Sequence, residues 1–176
     1  ISIFSFDPMK NMPSFGGGGA VLTDNKEHYD MIKSLRRHGI GSNLDYGYNS
    51  LLSDDHANQL LFLLSKFEKL QKSRKKVYER YRKNLPQFSF VGADNLHEPS
   101  YHKLVLLVEK RDELKDWLKT EGIETKIHYS KPLDQIGSYP NAESFCKKAI
   151  SLPIYPFLKT SEVDIVCKKI RKFYDV

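Results

Sequence analysis

The stretch ISIFSFDPMKNMPSFGGGGAVLTD (Ile1–Asp24) decides the fold, because it places one lysine between an apolar run and a glycine run. The apolar run predicts a short buried strand that ends at Pro8, since proline lacks the backbone donor that a sheet needs. Gly16–Gly19 can adopt backbone angles closed to other residues, so the chain can reverse there and return as a second strand at Ala20–Thr23. The sequence therefore predicts a hairpin with Lys10 just past the end of its first strand.

Lys10 is the candidate for chemistry in this segment. An amine at the end of a buried strand is a candidate for Schiff-base formation, because partial desolvation favours its neutral, nucleophilic form. The ordinary alternative is a solvated surface lysine beside a loop. The glycine run can likewise be only a turn, and no Gly-Lys-Ser/Thr motif follows it, so a nucleotide P-loop is not supported.

Short segments in order along almost the whole chain resemble one protein family. They are SFDPMKN (Ser5–Asn11), GGGGAVLTD (Gly16–Asp24), SLRRHG (Ser34–Gly39), GYNSLLSDDHA (Gly47–Ala57), YHKLVLLV (Tyr101–Val108), GIETKIHYSKPL (Gly122–Leu133) and SLPIYP (Ser151–Pro156). This series resembles the sugar-nucleotide aminotransferases of the DegT/StrS type, which are fold-type-I enzymes that use pyridoxal phosphate (PLP). The resemblance implies an α/β fold and transfer of an amino group from a donor amino acid to a nucleotide-linked keto sugar.

The same resemblance implies roles for individual residues. Lys10 would form the Schiff base with PLP, and Ser5 would help to hold the cofactor phosphate. Asn49 would reach the cofactor site of the neighbouring subunit, which implies a homodimer in the full-length form. His128 and Tyr129 would lie near the substrate at the end of a predicted strand. From the residues alone, His128 can equally be a hydrogen-bonded structural histidine.

Two positions depart from the family pattern. Family members usually have an arginine after the asparagine pair of the GYN motif and a glutamine five residues further on, whereas this chain has Leu51 and His56. The family enzymes are also about twice as long. We therefore expect this chain to be the C-terminal half of such an enzyme, with most cofactor contacts in an N-terminal half that it lacks.

The resemblance divides the chain into three parts. Residues 1–50 would be the end of the large PLP-binding domain, residues 51–84 a connecting helix, and residues 85–176 a small C-terminal α+β domain. The connecting helix is predicted from Ser53 toward Asn84, with its apolar first half buried on more than one side. An earlier helix is predicted over Lys26–His38.

In the last part the pattern predicts strands at Phe88–Val91 and Lys103–Val108, the second of them central. A helix at Asp112–Thr120 and a strand at Ile123–Tyr129 follow. Further on, the sequence predicts a helix over Asn141–Ile150, an extended segment over Leu152–Pro156, and a last helix capped by Thr160 and Ser161.

Composition and charge fit a globular protein of 176 residues with a net charge of +6. Much of the positive charge lies in Lys66–Lys83, which predicts a helix with a solvated basic face, a nucleic-acid surface being the alternative. No apolar run is long enough to cross a bilayer. Cys146 and Cys167 indicate reduced thiols of a cytoplasmic protein, with a disulfide between them left open. The histidines lack metal-ligand spacing, so no metal is expected.

A rival interpretation is a non-catalytic interaction domain, or one half of a split enzyme that needs an N-terminal partner. The strand at Ile1 favours it, because an uncovered strand edge is prone to aggregate unless a partner covers it.

Overall fold

A computed structural model of the chain describes residues 1–41, 45–92, 98–134 and 136–176. Residues 42–44, 93–97 and 135 lie outside these ranges. The contacts divide the chain into two compact units, Ile1–Glu68 (unit 1) and Lys69–Val176 (unit 2). In the described part of the chain, no helix is both long and apolar enough to cross a membrane.

Unit 1 begins with the predicted hairpin. Strand β1 (Ser2–Ser5) pairs antiparallel with β2 (Gly19–Leu22), with Ser2 opposite Leu22 and Ser5 opposite Gly19. Helix α1 (Lys26–Leu35) follows, and the side chain of its N-cap residue Asn25 accepts a hydrogen bond from the His28 amide at 3.0 Å. The helix ends three residues before the predicted His38. Helix α2 (Asp54–Asn84) begins in unit 1 and continues into unit 2.

The prediction that β1 is buried was wrong for this chain. Ile3 is 80% exposed and Phe4 is 48% exposed. The first half of α2, predicted to be buried on more than one side, buries Leu60 but leaves Phe62 64% exposed. Sequence pattern reports which side chains are apolar, whereas their burial requires a neighbouring element, and a two-stranded ribbon supplies none.

Unit 2 is a three-stranded antiparallel sheet with helices. The strand order is β3-β4-β5, so β4 is central as predicted. Its elements after α2 are β3 (Ser89–Phe90), β4 (Leu104–Leu107), α3 (Arg111–Thr120), α4 (Pro140–Lys148), β5 (Ala149–Leu152) and α5 (Thr160–Tyr174).

The hydrophobic core lies in unit 2. Leu104, Leu106 and Ile150 alternate toward it from β4 and β5, and all three are 0% exposed. Most of the remaining core side chains come from α2, α3 and α5 and from the residue that follows α2. They include Tyr81, Leu85, Leu114, Leu118, Val163, Cys167 and Ile170. Because these side chains from the sheet and from the three helices pack closely together, unit 2 holds most of the buried apolar area that stabilises the chain.

Polar contacts fix the second half of α2 within unit 2. The Arg80 guanidinium donates to both carboxylate oxygens of Asp164 at 2.7 Å, and the Asn84 amide donates to the same carboxylate at 2.6 Å. The Arg74 guanidinium donates to the backbone carbonyls of Tyr101 at 3.3 Å and Ile154 at 3.2 Å. The two arginines therefore attach α2 to α5 and to the segments that flank the sheet.

Three predictions for the last part of the chain were wrong in detail. Ile123–Tyr129 is not a strand, and only Lys126 forms an isolated bridge, with Ser151. The end of the predicted helix Asn141–Ile150 is strand β5 instead, because Ala149–Leu152 pairs along β4. The N-cap of α5 is Lys159, whose amide donates to the Glu162 carboxylate at 2.8 Å.

Candidate functional site

A tight turn presents Lys10 just beyond β1. The Asp7 amide donates to the Ser5 hydroxyl oxygen at 3.3 Å, and the Asp7 carboxylate accepts from the Met9 amide at 2.9 Å. The Lys10 amide donates to the Asp7 carbonyl at 2.9 Å, which closes the turn. Lys10 is half-buried, and no ion pair among the described residues includes it. The structure thus brings Ser5 and Lys10 into one turn organised by Asp7.

Ser14 ties the segment after Lys10 back to the hairpin. Its amide donates to the Phe6 carbonyl at 2.8 Å, and its hydroxyl donates to the Gly17 carbonyl. The side chain is only 1% exposed. Gly17 and Gly18 have φ values of +78° and +129°, which L side chains rarely adopt, so the reversal requires glycine. Ser14 is a functional candidate that the sequence prediction missed, since a lone serine beside a proline gives no signal of burial.

The start of α2 also contacts this segment. The Phe15 amide donates to the side-chain oxygen of Gln59 at 3.0 Å. A Cβ atom added to Gly16 would lie 2.2 Å from the His56 ring, so the imidazole occupies the space beside that glycine. His56 and Gln59 therefore act on the loop that follows Lys10, and neither contact was predicted from the sequence.

Asn49 lies on the return limb of the loop after α1. It forms an isolated antiparallel bridge with Arg37, and the Tyr48 amide donates to the Leu35 carbonyl at 2.7 Å. Gly47 packs so tightly that a Cβ atom there would lie 2.1 Å from the Gly39 nitrogen. Asn49 is exposed, and none of its described hydrogen bonds joins it to Ser5 or Lys10.

A cavity of about 1010 Å³ lies in unit 1. Its wall is formed by the glycine run, by α1 and by the segment that leads into α2, including Phe6, Ile32, Leu35, Leu51 and Leu52. Lys10, Ser5 and Asn49 do not line it. Because much of the wall is apolar, we interpret this cavity as an open hydrophobic interior of unit 1 and place the candidate chemistry at Lys10 instead.

His128 and Tyr129 lie in unit 2, in the irregular segment after the bridge at Lys126. Burial lowers the pKa of His128, and the nearby positive charges of Lys103 and Lys126 lower it further. His128 is therefore neutral at pH 7 and able to exchange hydrogen bonds with an uncharged polar group. Tyr129 is 67% exposed.

The cysteines and the metal-binding residue types give no second site in the described part of the chain. Cys146 and Cys167 are both buried free thiols, which settles the question of a disulfide between them. Across residues 1–41, 45–92, 98–134 and 136–176, no group of three acidic, histidine or cysteine residues is placed to hold a metal ion.

Curated proteins that match this chain include sugar transaminases. The dTDP-3-amino-3,4,6-trideoxy-alpha-D-glucose transaminase of Streptomyces venezuelae is 30% identical over 189 residues, which are 98% of this chain and 50% of that protein. The pleiotropic regulatory protein of Geobacillus stearothermophilus is 31% identical over 192 residues, which are 97% of this chain and 51% of that protein. The chain thus spans about half the length of the curated relatives it matches.

The fold agrees with solved structures of the same class. The structure of DesV from S. venezuelae in complex with a ketimine intermediate has a TM-score of 0.92 and 30% identity, and covers 99% of this chain and 51% of DesV. The α/β fold of the chain is the C-terminal part of a fold-type-I aminotransferase, as predicted. The profile of the DegT/DnrJ/EryC1/StrS aminotransferase family matches residues 1–171. The chain belongs to this family, whose members are PLP-dependent aminotransferases.

Proposed function

We propose that this chain supplies the lysine half of a PLP-dependent aminotransferase that acts on a nucleotide-linked keto sugar. The observation that carries the proposal is the turn at Asp7. It presents a half-buried lysine, which has no ion-pair partner among the described residues, at the end of a hairpin strand. Family membership supports the reaction class.

The residues at this turn fit the cofactor. Lys10 offers an amine to the cofactor's aldehyde, and Ser5 offers a hydroxyl to its phosphate from the same turn. Asn49 would reach the cofactor site of the neighbouring subunit in a homodimer. When bound, PLP supplies an electron sink that stabilises negative charge at the carbon next to the donor nitrogen. The Lys10 amine would hold the cofactor and, when free, would accept and return a proton at its Nζ atom as a general base and acid.

The substrate side is assigned to unit 2. His128 and Tyr129 would bind the sugar, and a neutral His128 suits hydroxyl and carbonyl groups better than an imidazolium would. The transaminase of S. venezuelae supports a nucleotide-linked sugar, since its name specifies a dTDP-sugar. The net charge of +6 favours an anionic nucleotide sugar over a neutral one. An amino acid would be the amino donor, and polysaccharide biosynthesis would use the product.

The reaction also requires a polypeptide that completes unit 1. Among its described residues, Leu60 is the buried large apolar side chain, whereas Ile3, Phe15 and Leu61 are 80%, 85% and 64% exposed. A two-stranded ribbon with an open apolar interior is marginal in water. We assign the covering role to a segment equivalent to the half of the relatives that this chain does not match. The buried free thiols Cys146 and Cys167 support a cytoplasmic setting.

The three-part division remains part of this proposal. Residues 1–50 would close the large domain, residues 51–84 would connect the domains, and residues 85–176 would form the small domain. The helix Asp54–Asn84 supports the middle assignment.

The test is PLP binding by the purified chain, alone and mixed with the N-terminal half of a relative. Wild type, Lys10→Ala and Lys26→Ala are compared. Lys26 is a surface lysine of the same unit as Lys10 and serves as the matched control. We expect a near-visible absorption band that borohydride removes, with the cofactor mass on the Lys10 peptide, in wild type and Lys26→Ala only. Identical spectra for all three proteins, both with and without the N-terminal half, would contradict the proposal and favour the non-catalytic interaction domain.

A further inference from the structure

The loop that carries Lys10 is held from outside the hairpin by α2. Gln59, which lies 44 residues after Phe15, accepts the Phe15 amide at 3.0 Å. His56, one turn earlier on the same helix, fills the space beside Gly16. A backbone amide in a loop finds either water or one specific acceptor, and here the acceptor is a half-buried side chain on a rigid helix.

These contacts reach Lys10 through a short run of chain. Ser14 immediately precedes Phe15, and its amide donates to Phe6 at the end of β1 at 2.8 Å. The four residues from Lys10 to Pro13 therefore lie between two fixed points, the Asp7 turn on one side and the Ser14–Phe15 anchor on the other. With so few rotatable bonds between them, a shift of the anchor changes the position of Lys10.

We propose that Gln59 is a positioning residue for Lys10, supported by the packing of His56 against Gly16. The inference rests on the proposed function, because it assigns Gln59 a role in the reaction of the Lys10 amine with a carbonyl compound. It also gives a role to His56, whose ring fills the space beside Gly16. Gln59 does not contact the reacting atoms; it acts through Phe15 and Ser14.

The first arm of the test measures the anchor without any cofactor. Gln59→Met keeps the length of the side chain and removes the acceptor, whereas Gln59→Glu keeps an acceptor oxygen. Gln71→Met is the matched control, a glutamine on the same helix whose amide donates to Ser100. Hydrogen exchange at the Phe15 amide should become about fivefold faster in Gln59→Met, the change expected from losing one ordinary hydrogen bond. Gln59→Glu and Gln71→Met should exchange at the wild-type rate.

The second arm measures Lys10 itself. Each protein is treated with PLP and cyanoborohydride, and the label on Lys10 is quantified by peptide mapping relative to that on Lys147, an exposed lysine of α4. We expect Gln59→Met to lower the Lys10 to Lys147 ratio severalfold and Gln59→Glu to restore it. A merely structural role would change unfolding but would leave this ratio unchanged.

The outcomes separate the two proposals. Unchanged hydrogen exchange at the Phe15 amide in Gln59→Met would overturn the claim that Gln59 holds the loop. Faster exchange with an unchanged Lys10 to Lys147 labelling ratio would overturn the positioning role. If PLP labelled Lys10 of the wild type no more than Lys147 in the presence of the N-terminal half of a relative, the proposed function would fail. Hydrogen exchange at the Phe15 amide would then decide by itself whether Gln59 anchors the loop.

Discussion

Leu106→Ala measures how much of the chain's stability lies in the unit 2 sheet. Leu106 is 0% exposed on the central strand β4, where it pairs with Phe90 on one side and Ile150 on the other. Removing a fully buried leucine side chain costs its transfer free energy plus a cavity term, about 3 kcal/mol within a range of roughly 2 to 5. Ile165→Ala is the control, since Ile165 is 54% exposed on α5 and should cost less than about 1 kcal/mol.

The assay is urea unfolding followed by the fluorescence of Trp117, the single tryptophan. Its indole nitrogen donates to the Lys169 carbonyl at 3.3 Å, so its signal reports the contact of α3 with α5 inside unit 2. The free energy of unfolding should fall for Leu106→Ala without a change in the urea dependence. A loss below about 1 kcal/mol, or an equal loss in Ile165→Ala, would refute the view that the β4 core stabilises this unit.

Three further predictions concern polar groups and close packing. Hydrogen bonds from Arg80 hold the pKa of Asp164 below its ordinary 3.8, so the Asp164 carboxylate stabilises the fold above that pH. The difference in unfolding free energy between wild type and Asp164→Asn should therefore shrink as pH falls below 3.8. A pH-independent difference would argue against this. Burial raises the pKa of Cys167 to about 11, so at pH 8 iodoacetamide should label it only after urea unfolding, as mass spectrometry would detect. Gly16→Ala should weaken the hydrogen bond between Phe15 and Gln59 by about 1 kcal/mol when His56 is present, and by less in a His56→Ala background. A double-mutant cycle of hydrogen exchange at the Phe15 amide would measure both effects. Additive effects would exclude a clash between the new methyl group and the His56 ring.

Local chemistry explains which parts of the fold could be predicted from sequence. Pro8 and the glycine run determined the hairpin, because each restricts the backbone wherever it occurs. The start of the first helix at Lys26 and the long helix up to Asn84 were predicted from local sequence pattern as well. Family motifs then pointed to Lys10 within the hairpin as the candidate for chemistry, which the spacing of residues alone could not separate from a surface lysine, and its role stays a prediction.

Predictions that depended on a distant neighbour were less successful. Ala149 and Ile150 continue the helical pattern that begins at Asn141, yet Ala149–Leu152 forms strand β5 because it pairs in register with the distant strand Leu104–Leu107. The contacts of Gln59 and His56 with the Lys10 loop have no sequence signal either, since a hydrogen bond between Phe15 and Gln59 spans 44 positions. Burial of β1 could not be inferred from apolar composition, because the chain as described provides no layer to cover it.

Completion of unit 1 and activation of Lys10 are thermodynamically linked in this proposal. A polypeptide that covers Ile3, Phe4 and Val21 buries apolar surface that is now 80%, 48% and 39% exposed. It therefore stabilises unit 1 by a free energy that grows with the logarithm of its concentration relative to its dissociation constant. The same layer would exclude water from the end of β1, where Lys10 lies and where the cofactor is proposed to bind. PLP should consequently bind the mixture more tightly than the chain alone, and the completing segment should bind the chain more tightly when PLP is present, by the same factor. An isothermal titration of each component with and without the other would measure both factors, and unequal values would exclude this linkage.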